Sequence, residues 1–177
     1  MFTNKVDEHI SFKIPSIKDA KPLYDLIDQQ RVELSRWLPW AQSTVSPSDE
    51  ENFIRYCHHQ IADEKLYSVV ILFDEEVGGM ADIHGIDHNN KRAQIGYWLG
   101  EQFQGKGIMT KSVNQLVKIA FDELKFHRLE IVADAKNINS QRVALRCDFK
   151  KDAELKDYLF YHNAFHNIFL YSKLNTN

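Results

Sequence analysis

The sequence is poor in cysteine and has no long apolar run. Cys57 and Cys147 are its two cysteines, and they do not form the paired short spacings of a metal site or a disulfide framework. Reduced thiols and a cytoplasmic protein are therefore expected. No stretch approaches the ~20 consecutive apolar residues of a membrane span. The N-terminal segment has no basic region followed by an apolar core, so we expect no secretory signal.

An excess of positive charge is also lacking. The formal net charge is -3 at pH 7, whereas nucleic-acid binding normally needs a basic face, so we expect no nucleic-acid partner. An anionic ligand would have to be held by local donors, because the overall field does not attract it. The length of 177 residues suits one well-packed domain and is short for two. Residues 1–177 are thus predicted to form a single domain.

The N-terminal part combines one strand with several helices. Residues 9–14 alternate in polarity and predict a strand. Ser16 and Asp19 have the spacing of a capping box, which predicts a helix to about Gln30. Residues 31–40 predict a short helix that ends in a turn. In the next helix we expect Ser48 as the N-cap, with Glu51 completing the capping box. The apolar stripe of this helix is expected to consist of Phe53, Ile54, Cys57 and Ile61.

The middle and the C-terminal part are rich in β structure. Strands are predicted at residues 66–73, 77–86 and 92–100, the first two joined as a hairpin. In the third strand one face carries Ala93, Ile95, Tyr97 and Leu99. After Gly105 and Gly107 a helix is predicted, because apolar residues recur at helical spacing: Met109, Val113, Leu116, Val117, Ala120 and Leu124. A strand, a short helix and a terminal hairpin follow at residues 127–135, 139–147 and 149–174. This order predicts an α+β domain on a mostly antiparallel central sheet.

Two of the seven glycines, Gly105 and Gly107, lie at the start of that helix with Lys106 between them. Glycine allows left-handed dihedrals and a close approach of the backbone to a ligand. Free N–H groups and the dipole at a helix start attract an anion. Lys106 and the side-chain amides of Gln102 and Gln104 can add donors around phosphate oxygens. The spacing differs from that of a P-loop and of a Rossmann fingerprint. A plain strand-to-helix turn is the alternative interpretation.

The surroundings of the glycines resemble a known family. The pattern Q-x-x-G-x-G, preceded by the strand "IGYWL" and followed by an amphipathic helix, resembles motif A of the GCN5-related N-acetyltransferases (GNAT superfamily). The later stretch "NINSQRVALRCDF" resembles the second cofactor segment of that family. The order of elements fits as well, so the resemblance covers nearly the whole chain. The combination of "IGYWL", "GKGIMT" and a closing "HNIFLYS" is most similar to the RimJ/RimL-type ribosomal-protein N-acetyltransferases.

The resemblance implies a GNAT fold, with a twisted, mostly antiparallel sheet flanked by helices, and acetyl-CoA as co-substrate. It implies that backbone amides of residues 102–108 hold the pyrophosphate and that a splayed strand pairs with the pantetheine arm. It also implies that an asparagine and a serine after the next strand contact the cofactor. The cofactor-binding positions are then Tyr97, Trp98, Leu99, Gln102, Gln104, Gly105, Lys106, Gly107, Ile108, Asn137 and Ser140.

The sequence departs from the family where acid–base residues usually lie. Ala144 occupies the position at which many members have a tyrosine that acts as an acid. Gln94 occupies the position at which many have a glutamate, and its amide side chain cannot titrate. Ser140 is therefore the candidate donor to the leaving thiolate, and the candidate base is Asp82, His84 or a water that they hold. A further departure is Asp148 in place of the usual glycine before phenylalanine, although aspartate tolerates left-handed backbone better than most residues.

Several of these residues have structural alternatives. His84 can be a hydrogen-bonded structural histidine, and Ser140 can cap its helix. Cys147 can be a packed helical residue, since nothing near it in sequence would lower the thiol pKa. Trp37 and Trp40 belong either to the core or to a lid over the acceptor groove. No metal site is expected, because no cysteine or carboxylate set completes one around the histidines at positions 58, 59, 162 and 166.

The sequence therefore predicts an enzyme that moves an acetyl group from acetyl-CoA to a primary amine, in a monomer or a homodimer. The favoured acceptor is a protein N-terminal amine, such as that of a ribosomal protein. Two alternatives are an acetyltransferase for polyamines, amino sugars or antibiotics, and a non-catalytic acyl-CoA-binding sensor. The acceptor groove is expected between residues 37–44 and residues 158–165 of the terminal hairpin, since function on a shared fold lies in such sites.

Overall fold

The computed structural model of the chain describes residues 3–176, through which one eight-stranded sheet runs. Its strands are β1 Thr3–Lys5, β2 Ile10–Lys13, β3 Tyr67–Phe73, β4 Glu76–Asp87, β5 Arg92–Leu99, β6 Arg128–Asp134, β7 Lys150–Tyr161 and β8 Ala164–Leu174. Their order is β1-β2-β3-β4-β5-β6-β8-β7. Only the β5–β6 pair is parallel, among the strands of the described residues. The predicted α+β fold with a mostly antiparallel sheet is confirmed.

Five α-helices flank the sheet in the described part of the chain. They are α1 Ala20–Gln29, α2 Arg31–Ser35, α3 Pro47–Ala62, α4 Ile108–Lys118 and α5 Ile138–Arg146. Helices α1 and α3 bury Leu23 and Ile54 against one face, where Val70 of β3 lies. Helix α4 packs on the other face with Val69 and Ile71 of the same strand. Both faces of β3 are thus covered, which explains its continuous apolar run. None of the helices within residues 3–176 is both long and apolar enough to cross a membrane.

The predicted start of the first helical segment is confirmed. The Ser16 backbone N–H and hydroxyl both donate to the Asp19 carboxylate, at 2.8 and 2.9 Å. The box opens a single 3-10 turn, Ile17–Asp19, and α1 proper begins at Ala20. A capping box fixes the first turn whichever helical hydrogen-bond pattern follows it.

The predicted start of α3 is wrong by two residues. Ser46, not Ser48, is the N-cap, and Asp49, not Glu51, completes the box. The first helical position is then Pro47, where the missing N–H costs nothing. The buried stripe is correspondingly Glu50, Ile54 and Cys57, whereas Phe53 is 41% exposed and Ile61 only half-buried. Phe53 stacks instead on Tyr56 at the outer surface of the helix.

Two further features differ from the prediction. The three-residue strand β1 was not predicted, because so short a segment carries no periodic signal. Leu124 lies outside α4 and is 39% exposed, since the helix changes to a π-helical turn, Ile119–Glu123. The wider turn shifts the positions that follow it away from the apolar face of α4.

Strands β5 and β6 pair over a short distance and then part. Their parallel ladder has three pairs and ends at Gln94–Glu130. Beyond this point β5 stays with β4 as far as Leu99, and β6 stays with β8 as far as Asp134. Residues 95–99 and 131–134 therefore border an opening in the sheet, which we call the wedge. The splayed strand that the resemblance implied is present.

Candidate active site

The glycine turn lies at the end of β5, beside the wedge. The strand passes through a 3-10 turn, Glu101–Phe103, into Gly105 and Gly107, both with φ of +75°. Gly107 is the N-cap of the 11-residue helix α4. A Cβ atom added at either glycine would meet nothing within 4 Å. The glycines are thus required by their backbone conformation, and the space in front of them is open to a ligand.

The donors at this turn are fewer than the sequence suggested. The backbone amides of Phe103 and Gln104 donate to carbonyls within the preceding turn, at 2.9 and 3.1 Å. The Gln104 side-chain amide donates to the Leu99 carbonyl at 3.1 Å. The Lys106 ammonium lies 5.5 Å from the ring centre of Phe73, over its face. The main-chain amides from Gly105 into the first turn of α4 are therefore the principal donors for an anion, and the helix dipole adds to them.

Helix α5 brings Asn137 and Ser140 to the opposite side of the wedge. Asn137 is the N-cap, and its side-chain oxygen accepts from the Ser140 backbone N–H at 3.1 Å. The cap is thus Asn137, so the alternative in which Ser140 caps the helix is wrong. The Ser140 hydroxyl lies 3.1 Å from the Tyr97 hydroxyl, which also donates to the Ser140 carbonyl at 3.2 Å. Burial raises the pKa of Tyr97 well above its usual value, so its hydroxyl stays protonated.

The position of the usual family tyrosine belongs to the protein core. Ala144 is completely buried in the main apolar cluster, together with Cys147. The Cys147 thiol donates to the Thr110 carbonyl at 3.4 Å, and burial raises its pKa to about 11. It is a packed residue, since the thiol form is strongly favoured.

Asp82 and His84 form a hydrogen-bonded pair on β4. His84 Nδ1 donates to Asp82 Oδ1 at 2.5 Å. Their cross-strand partners on β5 are Gly96 and Gln94. A Cβ at Gly96 would lie 3.1 Å from both Asp82 Oδ1 and His84 Cε1, so glycine leaves room for the pair. The hydrogen bond to Asp82 raises the pKa of His84, which favours the imidazolium.

The sheet face that carries the Asp82–His84 pair extends across β5 and β6, where it borders a cavity. It continues through Gln94 of β5 and Glu130 of β6, because paired residues point to the same side. We call it the acceptor face. A cavity of about 290 Å³ lies on it. Its lining residues are Gly85, Arg92, Ala93, Gln94, Glu130, Val132, Leu155, Tyr158, Ile168 and Leu170.

A buried cluster that the sequence did not reveal joins the terminal hairpin to the end of β6. The Asp134 carboxylate accepts from the Tyr161 hydroxyl and, at 2.8 Å, from His166 Nδ1. The two donor rings are stacked, with their centres 3.7 Å apart. The Asp134 carboxylate also accepts from the Lys136 backbone N–H at 2.7 Å, just before α5. No local pattern signals this cluster, because Asp134 lies 27 residues before Tyr161 and 32 before His166.

One expected border of the acceptor groove, the terminal hairpin, contacts helix α2, which precedes the other border at residues 37–44. His162 at the hairpin turn donates to the Ser35 carbonyl of α2 at 2.7 Å. Trp40 is 39% exposed and meets Trp98 edge to face, with ring centres 6.1 Å apart, while Trp37 is half-buried. Trp40 thus lies at the rim beside β5. Within residues 3–176 no group of three or more metal-binding side chains is found.

Comparison with known proteins gives consistent matches. Residues 10–150 match the family described as acetyltransferase (GNAT) domain. The chain is 35% identical over 175 residues to YdaF of Bacillus subtilis, named as a candidate ribosomal N-acetyltransferase, covering 98% of this chain and 96% of YdaF. It is 30% identical over 174 residues to the ribosomal-protein-serine acetyltransferase of Escherichia coli, covering 97% and 96%.

Solved structures agree over almost the whole chain. The microcin C7 self-immunity acetyltransferase MccE, in complex with acetyl-CoA and AMP, has a TM-score of 0.94 at 32% identity, covering 97% of this chain and 95% of that one. RimL, a ribosomal L7/L12 alpha-N-protein acetyltransferase in complex with coenzyme A, also has a TM-score of 0.94, covering 98% of each chain. At 23% identity, the second likeness is one of fold.

Proposed function

The chain belongs to the acetyltransferase (GNAT) domain family, and from that premise we propose that it acetylates a protein N-terminal amine, of the ribosomal-protein type. It is an N-acetyltransferase that uses acetyl-CoA. The relatives named for ribosomal substrates match it from end to end at 30–35% identity, which supports the finer assignment.

One observation carries the proposal: the sheet opens directly beside a cavity on the acceptor face. The wedge begins after Gln94 and Glu130, and both residues line the cavity. Beyond it the terminal hairpin ends in Phe160 and Phe165, which are 63% and 65% exposed with ring centres 4.9 Å apart. The tip of the hairpin thus carries an exposed aromatic pair, which suits an acceptor that continues beyond its reacting residue.

The described residues fit acetyl-CoA, as the open space before Gly105 and Gly107 indicates. The backbone amides from Gly105 into α4 would hold the pyrophosphate, with the helix dipole behind them. The main chain of residues 97–99 at the wedge would pair with the pantetheine arm, except for the Leu99 carbonyl, which already accepts from the side chains of Gln30 and Gln104. The Asn137 side-chain oxygen is used by the cap, so its amide nitrogen would be the donor to that arm. When bound, acetyl-CoA supplies an acetyl group activated as a thioester.

The hydroxyl pair at the wedge is the proposed proton donor. Tyr97 stays protonated and can direct its one proton to the Ser140 carbonyl or to the Ser140 hydroxyl oxygen. In the second arrangement the Ser140 proton is free to point at the leaving sulfur. The hydrogen-bonded Asp82–His84 pair is proposed to set the electrostatics of the acceptor face. Because its pKa is raised, His84 is protonated more of the time and is less available as a base.

A second candidate function is supported by one structural neighbour. MccE was solved with acetyl-CoA and AMP, and it is 32% identical to this chain over nearly its full length. A small-molecule amine is therefore the alternative acceptor, on the same cofactor site.

A panel of amines distinguishes the two acceptors. Thiol release from acetyl-CoA is measured with peptides that begin with Ser, Ala or Met, and with spermidine, an amino sugar and an aminonucleoside. We expect turnover with a peptide and an acetyl group on its α-amine by mass spectrometry. The control is the same peptide with a blocked N-terminus and one free lysine. Turnover with small amines alone would contradict the N-terminal assignment.

A further inference from the structure

Gln94 and Glu130 form the last pair before β5 and β6 part. As partners in a parallel ladder, their side chains project from the same face, with about 4.8 Å between the strands. Both line the cavity of about 290 Å³ on the acceptor face. A carboxylate is absent at position 94, where many family members have one, but it is present on the neighbouring strand.

Glu130 is the one acidic residue among the described residues that line this cavity. It is 8% exposed. Arg128 Nε donates to Glu130 Oε1 at 2.6 Å and so fixes the orientation of the carboxylate. A buried and oriented carboxylate beside the wedge is placed to receive a cationic group.

The charges around Glu130 leave room for one cation. The Arg128 guanidinium also donates to Asp152 at 2.7 Å, so one positive charge serves two carboxylates. Asp152 accepts in addition from the Ser172 hydroxyl at 2.6 Å, which adds no charge. The trio of Arg128, Glu130 and Asp152 therefore carries a formal charge of -1.

Two neighbouring groups, Arg92 and His84, have acidic partners of their own. Arg92, at the edge of the cavity, lies 3.4 Å from Asp87, and the His84 ring is hydrogen-bonded to Asp82. Of the trio, Glu130 is the member that lies inside the cavity. An ammonium ion placed there would neutralise its charge at short range.

We propose that Glu130 binds the ammonium group of the acceptor and takes up its proton. This inference rests on the proposed function and names the residue that selects a cationic primary amine. Glu130 thus takes the role that a glutamate at position 94 would otherwise have, from the adjacent strand and in the same cavity.

The proton and electron balance is complete. The acceptor arrives as R–NH3+, and one proton passes to the Glu130 carboxylate and later to solvent. The nitrogen lone pair then forms the C–N bond to the acetyl carbonyl carbon, while the C–S bond breaks and its electron pair stays on sulfur. A second proton leaves the nitrogen to solvent, Ser140 gives its proton to the sulfur, and Ser140 regains a proton from solvent. The products are the acetamide, free CoA thiol and one released proton.

The test compares Glu130→Gln with two other variants, using whichever amine the wild type acetylates. We expect Glu130→Gln to lower kcat/KM for the amine about 100-fold, through both kcat and KM. Its Kd for CoA, measured by calorimetry, stays within about twofold of wild type. Amine binding to the CoA-loaded protein weakens about tenfold. The matched control is Glu154→Gln, which removes an exposed carboxylate of β7 and leaves kcat/KM unchanged.

The decisive variant moves the carboxylate across the ladder. Gln94→Glu combined with Glu130→Gln returns it to the cavity from β5, and we expect kcat/KM within about tenfold of wild type. A Glu130→Gln protein with wild-type kcat/KM overturns the inference. The inference is also overturned if Glu130→Gln loses CoA binding or thermal stability and the double variant does not restore it, because Glu130 would then have a structural role. Failure of the peptide acceptor alone affects only the proposed function.

Discussion

The Tyr97 hydroxyl of β5 lies 3.1 Å from the Ser140 hydroxyl in the first turn of α5. The two residues are 43 positions apart and meet across the wedge. Burial raises the pKa of Tyr97, so its hydroxyl keeps its proton and can donate to Ser140. When that proton is directed to the Ser140 hydroxyl oxygen, the Ser140 proton is available to a group in the wedge.

Tyr97→Phe is expected to lower kcat about three- to tenfold, the effect of one lost hydrogen bond. Ser140→Ala should lower it further, and the double variant should be no slower than Ser140→Ala, because Tyr97 acts through Ser140. Steady-state kinetics at saturating acetyl-CoA measure both. The control, Tyr24→Phe, loses a hydroxyl that donates to the Val45 carbonyl at 3.1 Å, away from the wedge. Additive losses in the double variant would show that Tyr97 and Ser140 act independently.

Gly105→Val should abolish measurable CoA binding while the protein stays folded. Gly105 has φ of +75°, which costs a β-branched residue roughly 1–2 kcal/mol. The added side chain would stand in the open space where the pyrophosphate is proposed to lie. Calorimetry gives the affinity and urea unfolding the stability. Lys125→Val places a β-branched residue at another exposed position of left-handed conformation, with φ of 60°, and should bind CoA normally. Unchanged CoA affinity in Gly105→Val would remove the cofactor assignment.

Asp148→Gly should stabilise the protein by roughly 0.5–1 kcal/mol. Asp148 ends α5 with φ of 61°, the left-handed conformation that glycine adopts without strain. Asp148→Val should instead cost about 1–2 kcal/mol. Asp148→Asn distinguishes the effect of the charge from that of the backbone conformation. It removes the ion pair with Lys173 at 3.7 Å, whereas asparagine tolerates the left-handed conformation as aspartate does. Urea unfolding measures all three, and equal stability of the Gly and Val variants would contradict the backbone explanation.

Glu50→Gln should stabilise the protein at pH 8 but not at pH 4. Glu50 is 3% exposed and its Oε2 has no hydrogen-bond partner. Burial, with a smaller contribution from the Asp49 charge, raises its pKa from 4.5 to about 7. Because the folded-state pKa is above that of the unfolded chain, ionisation opposes folding as the pH rises from about 4.5 to 7.

The expected gain at pH 8 is on the order of 2 kcal/mol, and it should vanish below pH 4.5. Urea unfolding at pH 4, 6 and 8 measures it. The control is the neighbouring Glu51→Gln, whose side chain is 41% exposed and which should change stability little. A gain for Glu50→Gln that is the same at pH 4 and pH 8 would rule out ionisation as its cause.

The local elements were largely predictable, because their signals lie within a few residues. The Ser16–Asp19 box, the alternation of β5 and the glycines before α4 are short patterns, and all were confirmed. The start of α3 was misplaced because Ser46 and Ser48 both precede an acidic residue by three positions. Only packing selects between them, since the helix must turn Ile54 and Cys57 toward the sheet.

The sequence by itself determined the family, the order of the elements and the position of the glycine turn, since each is written in contiguous residues. Tertiary structure alone decided which side chains meet. The approach of Tyr97 to Ser140, the cluster of Asp134 with Tyr161 and His166, and the pairing of Gln94 with Glu130 all depend on sheet register. Register follows from burying the apolar residues of distant segments together, and a one-residue slip would turn each of these side chains to the opposite face.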